Sequence, residues 1–354
     1  MDRGLDQRRH SAFVSIAPAS LWSSRRPRRR ARSGRTGLLL MAACLGVLGG
    51  LALTRGLARH GASTRVAATR VDAAAAPHPH AVISPPAAAT LLAPPYSWDY
   101  RWLASHPATG APPNRARATV MVDLESGHVL YSHKPHQRMA QASTAKLMTA
   151  MVALDRADPA YKVFVPPDAT RVEPNIMGLT AGERVTVNDL LIGLLLDSGN
   201  DAAETLATTI APNRDTFVAA MNAKAGAMGL TDTHFANPSG LDDPDQYTSP
   251  NDEALTAAYL YQHYPLLEQI VTAKQAHIAA TNTHKAFDPI NLNKLLWTYP
   301  GAIGFKTGLT DSAGTCLVAG AHRGAHTLLL VEFNDPLIFT DAAPLLDYGF
   351  RRAG

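Results

Sequence analysis

The 354-residue chain has only two cysteines, Cys44 and Cys316. One lies in an apolar run near the start and the other far downstream, so a disulfide framework is excluded. No group of cysteines and histidines has zinc-like spacing, which excludes the zinc-finger classes. Charge is sparse at 18%, yet 46% of the residues are hydrophobic, so a sizeable packed core forms and wholesale disorder is excluded. The length suits about two average domains, or one large domain with added segments.

Positive charge is what most of the chain lacks. The net charge is +4 and the pI about 9.1, but the excess is confined to one end. Residues 1–36 hold ten Arg against two Asp, a charge of +8. Residues 37–95 add Arg55, Arg59, Arg65, Arg70 and Asp72, a charge of +3. The remaining residues, 96–354, carry 19 Lys and Arg against 26 Asp and Glu, a charge of −7. The partner of the basic head is the inner face of a membrane, and nucleic acid drops out as a partner.

The head itself reads as a targeting segment. Seven arginines between Arg25 and Arg35 precede 17 uncharged residues, Gly37 to Leu53. As a helix this run spans roughly 25 Å, near the lower limit for a bilayer. The arginine bias favours an N terminus inside and a body outside. Four readings stay open: an uncleaved signal anchor, a signal peptide cleaved after Leu53, lipidation at Cys44 within Met41-Ala42-Ala43-Cys44, and a buried core helix. Residues 54–95 form an Ala/Pro-rich linker, with six Pro and nine Ala between 71 and 95. Such a stretch behaves as a semi-stiff spacer. His78 and His80 within it read as incidental.

From residue 96 the texture is that of a folded body. Ala118 to Leu124 and Val129 to Tyr131 read as a hairpin about Glu125-Ser126-Gly127. Ser143 opens a helical run, Thr144 to Leu154. Further helices are expected from Val187, over Asp201 to Ile210, Thr216 to Met228, Asp252 to Tyr264 and Ala342 to Tyr348. Strands return at Ile303 to Thr307, Thr315 to Ala319 and Thr327 to Phe333. Strands at both ends with helices between predict an α+β body.

Three short motifs carry chemistry. Ser143-Thr144-Ala145-Lys146 is the only S-x-x-K in the chain. Residues i and i+3 share a helix face, so Lys146 reaches Ser143. Desolvated, or near another cation, the lysine loses its proton and serves as general base to the serine. The bland alternative is a capping serine and a surface lysine. Ser198-Gly199-Asn200 breaks two helices, where a hydroxyl and an amide can shuttle a proton and bind a substrate amide; it also reads as a simple helix break. Lys306-Thr307-Gly308 ends a strand, offering a fixed positive charge, a hydroxyl for a carboxylate and room for a substrate backbone. The backbone N–H groups of Ser143 and Leu309 are candidates for an oxyanion hole. Ser249-Pro250-Asn251 repeats the second motif's form but precedes Asp252 and Glu253, and reads as a helix cap.

Together, in this order and spacing, these motifs resemble those of the D-alanyl-D-alanine carboxypeptidases, the low-molecular-mass penicillin-binding proteins. The resemblance runs over roughly residues 115–350 and includes Leu196-Asp197-Ser198-Gly199-Asn200-Asp201, Phe235-Ala236-Asn237-Pro238-Ser239-Gly240 and Gly304-Phe305-Lys306-Thr307-Gly308. It implies a β-lactamase/transpeptidase-like fold, a five-stranded antiparallel sheet with flanking helices and an all-helical subdomain. It implies removal of the terminal D-alanine from peptidoglycan stem pentapeptides through an acyl-Ser143 intermediate, and covalent acylation by β-lactams. Ser143 is then the nucleophile, Lys146 the base and Ser198 the second-motif hydroxyl. Asn200, Lys306, Thr307 and Gly308 line the substrate, and no cofactor or metal is called for. The enzyme would work outside the cytoplasm, in the periplasm or anchored to the inner membrane.

Three departures stand out. Ile338-Phe339-Thr340 fills a stretch where many relatives carry an arginine for the substrate carboxylate. Leu309 follows the third motif, where an aromatic or His is common. The sequence stops at Gly354, so no C-terminal β-domain is expected and attachment would come from the N-terminal run. Alternatives of the same chemistry are a D,D-endopeptidase and a β-lactamase, while a silent peptidoglycan-binding protein is the non-enzymatic one. Glu173, in Glu-Pro-Asn, precedes the second motif and is wrongly placed for a deacylating glutamate.

Overall fold

A computed structural model of the chain describes residues 97–354. The basic head, the Gly37–Leu53 run with Cys44, and the linker lie outside the described residues.

In chain order the body begins with α1 (Tyr100–Ser105), β1 (Ala118–Asp123) and β2 (Val129–His133). A single 3-10 turn (Ala142–Ala145) leads into α2 (Lys146–Arg156). Then come β3 (Lys162–Phe164), β4 (Arg184–Thr186), α3 (Val187–Leu195), α4 (Asn200–Thr209), α5 (Arg214–Ala227), α6 (Pro250–His263) and α7 (Pro265–Thr272). The chain closes with α8 (Leu295–Thr298), β5 (Ala302–Thr310), β6 (Gly314–Arg323), β7 (His326–Phe333) and α9 (Ile338–Ala353). The five long strands form one antiparallel sheet in the order β2-β1-β7-β6-β5. The early pair β2-β1 thus lies beside the late block β7-β6-β5 in one sheet, with the helices inserted between them in sequence, as the sequence pattern implies.

The sheet is covered on both faces, which explains why β1 reads as an unbroken buried run rather than an alternating one. Val120, Val122, Val318 and Val331 join the large core shared with the inserted helices. Met121, Leu317, Leu328 and Leu330 alternate with them and pack beneath Leu345 and Leu346 of α9. That helix is longer than the sequence pattern predicts and continues through Pro344, a residue that gives up one helical N–H. Asp341 in its first turn anchors it, accepting from the Arg115 N–H at 2.8 Å and the Arg115 guanidinium at 2.6 Å.

Caps explain most helix starts. Thr186 and Asp189 form a capping box on α3, and Asn213 accepts from Thr216 N–H on α5. The Ser249 hydroxyl accepts from Asp252 N–H at 3.3 Å, the capping role expected of that serine. Two boundaries need correction. Ser143 lies in the 3-10 turn and α2 starts only at Lys146. The third motif does not end its strand, because β5 continues to Thr310, pairing Gly308 with Cys316 and Leu309 with Thr315. The β3–β4 pair and the helices α1, α7 and α8 have no counterpart in the sequence reading.

Glu253, read from sequence as a first-turn acid favouring the helix dipole, is instead fully buried. Burial pushes its carboxyl up to about 8, with the Asp252 charge adding and a hydrogen bond from Thr144 opposing. A raised native value means that its stabilising contribution is whole below about 4.5 and is lost as the pH climbs towards about 8. Glu253→Gln is therefore expected to flatten the decline in stability over that interval, by an amount on the order of several kcal/mol. Thermal unfolding of both proteins at a series of pH values reads the difference, and parallel curves would count against a buried, proton-holding Glu253.

Candidate active site

The first motif is held by backbone before any side chain acts. Ala142 adopts a φ of +50°, in the left-handed region, and so turns the chain into the 3-10 segment that presents Ser143. Two glycines make room for this turn. A Cβ on Gly240 (φ +87°) would fall 1.8 Å from the Ala142 carbonyl oxygen, and one on Gly308 would fall 3.0 Å from Ser143 N and 2.8 Å from Ala142 Cβ. Gly308→Ala is accordingly expected to displace the Ser143 N–H and slow penicillin acylation at least tenfold, on the scale of a weakened oxyanion donor. Stopped-flow acylation beside a thermal melt checks this; an unchanged rate would mean that the turn yields freely.

Lys146 is buried, with its Nζ at the centre of the site. It lies 2.8 Å from Ser143 Oγ, 2.7 Å from Asn200 Oδ1 and 2.5 Å from the Ser239 carbonyl oxygen. The last two partners can only accept. As an ammonium the nitrogen donates all three bonds; as a neutral amine, with two hydrogens and one lone pair, it donates to both and accepts from the Ser143 hydroxyl. Burial drives the lysine well below its ordinary value, the charge of Lys306 pushes the same way, and Glu204 and Asp201 oppose. Burial and the Lys306 charge thus favour the neutral amine, with its nitrogen 2.8 Å from Ser143 Oγ.

Asn200 meets that nitrogen from the break between α3 and α4, which Ser198 opens. Ser198 has a φ of +62°, which costs a non-glycine residue energy and is common where function dictates geometry. Its Oγ is buried and has no hydrogen-bond partner, so it is not a helix cap. Asn200 differs from the sequence expectation. Its Oδ1 is taken by Lys146, and its Nδ2 donates to the carbonyl oxygens of Glu173 at 2.8 Å and Pro174 at 3.3 Å. In this arrangement the amide positions the base and a neighbouring loop, leaving no donor free for substrate. Glu173 is at the surface, and its contribution here is that carbonyl.

Lys306 is also buried, donating to the Thr307 carbonyl oxygen at 3.0 Å. The sequence reading of a fixed positive charge requires correction. Burial lowers its pKa to about 7, with Asp197 opposing, so its charge is conditional. Thr307 is half-buried, while Leu309 is 70% exposed at the rim. The Ile338-Phe339-Thr340 stretch forms the first turn of α9, so no arginine stands there.

Several contributors were missed from sequence. The Ser239 carbonyl belongs to a turn recognised only as a turn. Asp201, read as a helix start, accepts from four backbone N–H groups, those of Met177, Gly178, Leu179 and Ala202, at 2.8–2.9 Å. This carboxylate fastens the loop that Asn200 also holds. Asp197 accepts from Ile290 N–H at 3.0 Å and faces Lys306 electrostatically. An acid directly before or after the serine motif was the available signal for both.

Comparison with known proteins places these features in context. A family profile described as D-alanyl-D-alanine carboxypeptidase matches residues 106–336. The D-alanyl-D-alanine carboxypeptidase DacB2 of Mycobacterium tuberculosis is 37% identical over 246 residues, 68% of this chain and 84% of that protein. DacF of Bacillus subtilis is 33% identical over 225 residues, 62% of this chain but only 57% of that longer protein. Among solved structures, the Streptomyces K15 DD-transpeptidase superposes with a TM-score of 0.65 at 30% identity, covering 68% of this chain and 99% of that one. A putative penicillin-binding protein homolog from M. tuberculosis, Rv2911, gives 0.64 at 36% identity, covering 68% and 93%.

Proposed function

The chain belongs to the D-alanyl-D-alanine carboxypeptidases, and from that membership we propose that it is a serine peptidase that removes the terminal D-alanine of peptidoglycan stem pentapeptides. Ser143 Oγ attacks the carbonyl carbon of the penultimate residue while Lys146 takes the hydroxyl proton. The N–H groups of Ser143 and Leu309 hold the developing oxyanion. Collapse breaks the peptide bond, and the departing D-alanine nitrogen receives a proton from Lys146, with Ser198 as the available relay. The product is an acyl-Ser143 ester, which water then hydrolyses. Lys306 and Thr307 receive the terminal carboxylate. A β-lactam carries an acyl carbonyl and a carboxylate in the same relation, so it acylates Ser143 as well.

The observation that carries this reading is the set of three contacts on Lys146 Nζ, two of them to atoms that can only accept. Mass spectrometry after penicillin exposure tests the acyl step, where an adduct mapped to Ser143 is expected and an unmodified serine would sink it. Incubation of the protein with pentapeptide and with cross-linked muropeptides tests the substrate. Free D-alanine from pentapeptide supports the carboxypeptidase; cleavage of cross-links alone would make it a D,D-endopeptidase.

The same reading assigns the body to the cell-wall side of the membrane, with residues 1–36 as a cytoplasmic head, Gly37–Leu53 as the membrane or signal segment and residues 54–95 as the spacer. Among the described residues no helix is long and apolar enough to cross a membrane.

A further inference from the structure

Two and three strands away from β5, at the other side of the sheet, three ligand-type side chains converge. Asp123 ends β1, Glu125 follows in the hairpin turn, and His326 opens β7. One oxygen from each carboxylate and a ring nitrogen of His326 all lie within 4.8 Å of one another. Backbone pairing produces the convergence. Leu124 N–H donates to the Thr327 carbonyl oxygen at 2.9 Å, and Thr327 N–H donates to Glu125 Oε2 at 2.6 Å. The turn and the start of β7 are thereby locked together, and the acids are carried to the imidazole.

The Asp123 carboxylate is 1% exposed. Its Oδ2 accepts from Ser126 Oγ at 2.7 Å and lies 3.1 Å from His326 Nδ1. Its Oδ1 is buried and has no hydrogen-bond partner. The Glu125 carboxyl lies against the same group. A buried carboxylate oxygen without a partner, beside a second carboxyl and an imidazole, points to a missing water or ion. None of the three residues is hydrogen-bonded to the peptidase site.

The geometry suits a small ion. Ligands at 2.0–2.1 Å around a tetrahedral zinc are about 3.3 Å apart, close to the Nδ1–Oδ2 separation already present. One imidazole nitrogen with two carboxylate oxygens is a borderline donor set, favouring a transition metal over Ca²⁺ or Mg²⁺, which prefer six or more oxygens. Glu125 is exposed and His326 half-buried, so the site opens to solvent, which can complete the coordination. We propose that Asp123, Glu125 and His326 bind one zinc-class divalent ion that clamps the β1–β2 hairpin to the start of β7. The role is structural, independent of the acyl chemistry at Ser143.

The test is calorimetric titration of the metal-stripped full chain with Zn²⁺, with Mg²⁺ and Ca²⁺ as separate arms, alongside thermal unfolding. A Zn²⁺ site that raises the melting temperature is expected, weakened at least tenfold in both Glu125→Gln and His326→Gln. D-alanine release by these variants stays within about twofold, as suits residues that touch no reacting atom. The double variant His78→Ala/His80→Ala isolates any site on the linker. Three outcomes overturn the proposal: no Zn²⁺ binding, binding unchanged in both cluster variants, or binding lost only with the linker histidines. Equal affinity for Ca²⁺ at the same residues would overturn the choice of ion.

Discussion

Replacing Lys146 by arginine is expected to cut both penicillin acylation and D-alanine release by about 10³-fold or more, the upper range for removal of a general base. Arginine brings a permanent charge and can still donate to the Ser239 carbonyl and to Asn200. It lacks the lone pair that accepts the Ser143 proton, because the guanidinium does not deprotonate in proteins. The substitution thus separates hydrogen-bond donation from basicity. The paired measurement is the acylation rate against pH. The wild-type rate rises as Lys146 becomes neutral, and burial places that rise well below the ordinary lysine range. On the alkaline side, kcat/KM for a carboxylate-bearing substrate falls as Lys306 loses its proton near about 7. Retention of acylation within tenfold in Lys146→Arg would remove lysine from the role of base.

The proposed nucleophile, base, second-motif hydroxyl and third-motif strand could be picked out from sequence because the chemistry they would perform fixes residue type and order. Their supporting atoms could not. The Ser239 oxygen that fixes Lys146 is a backbone carbonyl, which any residue supplies, so its position carries no side-chain signature. Asn200 was visible as a polar group at a helix break, but its partners, the carbonyls of Glu173 and Pro174, arrive from a loop with no periodicity to predict its path. The main strands were legible from apolar runs and turn residues. β3 and β4, three residues each, are too short for an alternating pattern to register. Glu253 misled for a related reason: an acid in a first helical turn satisfies the dipole argument, and only packing against the sheet reveals that it is buried.

Asp201 is where that unseen support should have its greatest effect. Its single carboxylate accepts three N–H groups of the 177–179 segment and one of its own helix, at 2.8–2.9 Å. The segment in turn places the Asn175 carbonyl on Asn200 N–H at 2.8 Å and the Glu173 carbonyl on Asn200 Nδ2. Asn200 then holds Lys146. Asp201→Ala leaves three loop donors without an acceptor, a loss on the order of 5 kcal/mol if they stay buried. The melting temperature should fall by about 10 °C or more. If the loop swings out instead, Asn200 loses its anchors and the base loses its alignment, a displacement of the kind that costs about 10²-fold. Either route lowers kcat for D-alanine release, measured well below the melting transition. Asp201→Asn removes the charge together with the acceptor for one pair of these N–H groups, while its amide oxygen keeps the other pair. Asp201 raises the Lys146 pKa, so removing its charge should lower it further and shift the acid limb of the pH profile to lower pH. A residue that merely stabilised the fold would move the melting temperature and leave that limb where it was. An unshifted limb with normal kcat in Asp201→Asn would reduce Asp201 to a structural anchor; a shifted one makes it the residue through which the loop sets the base.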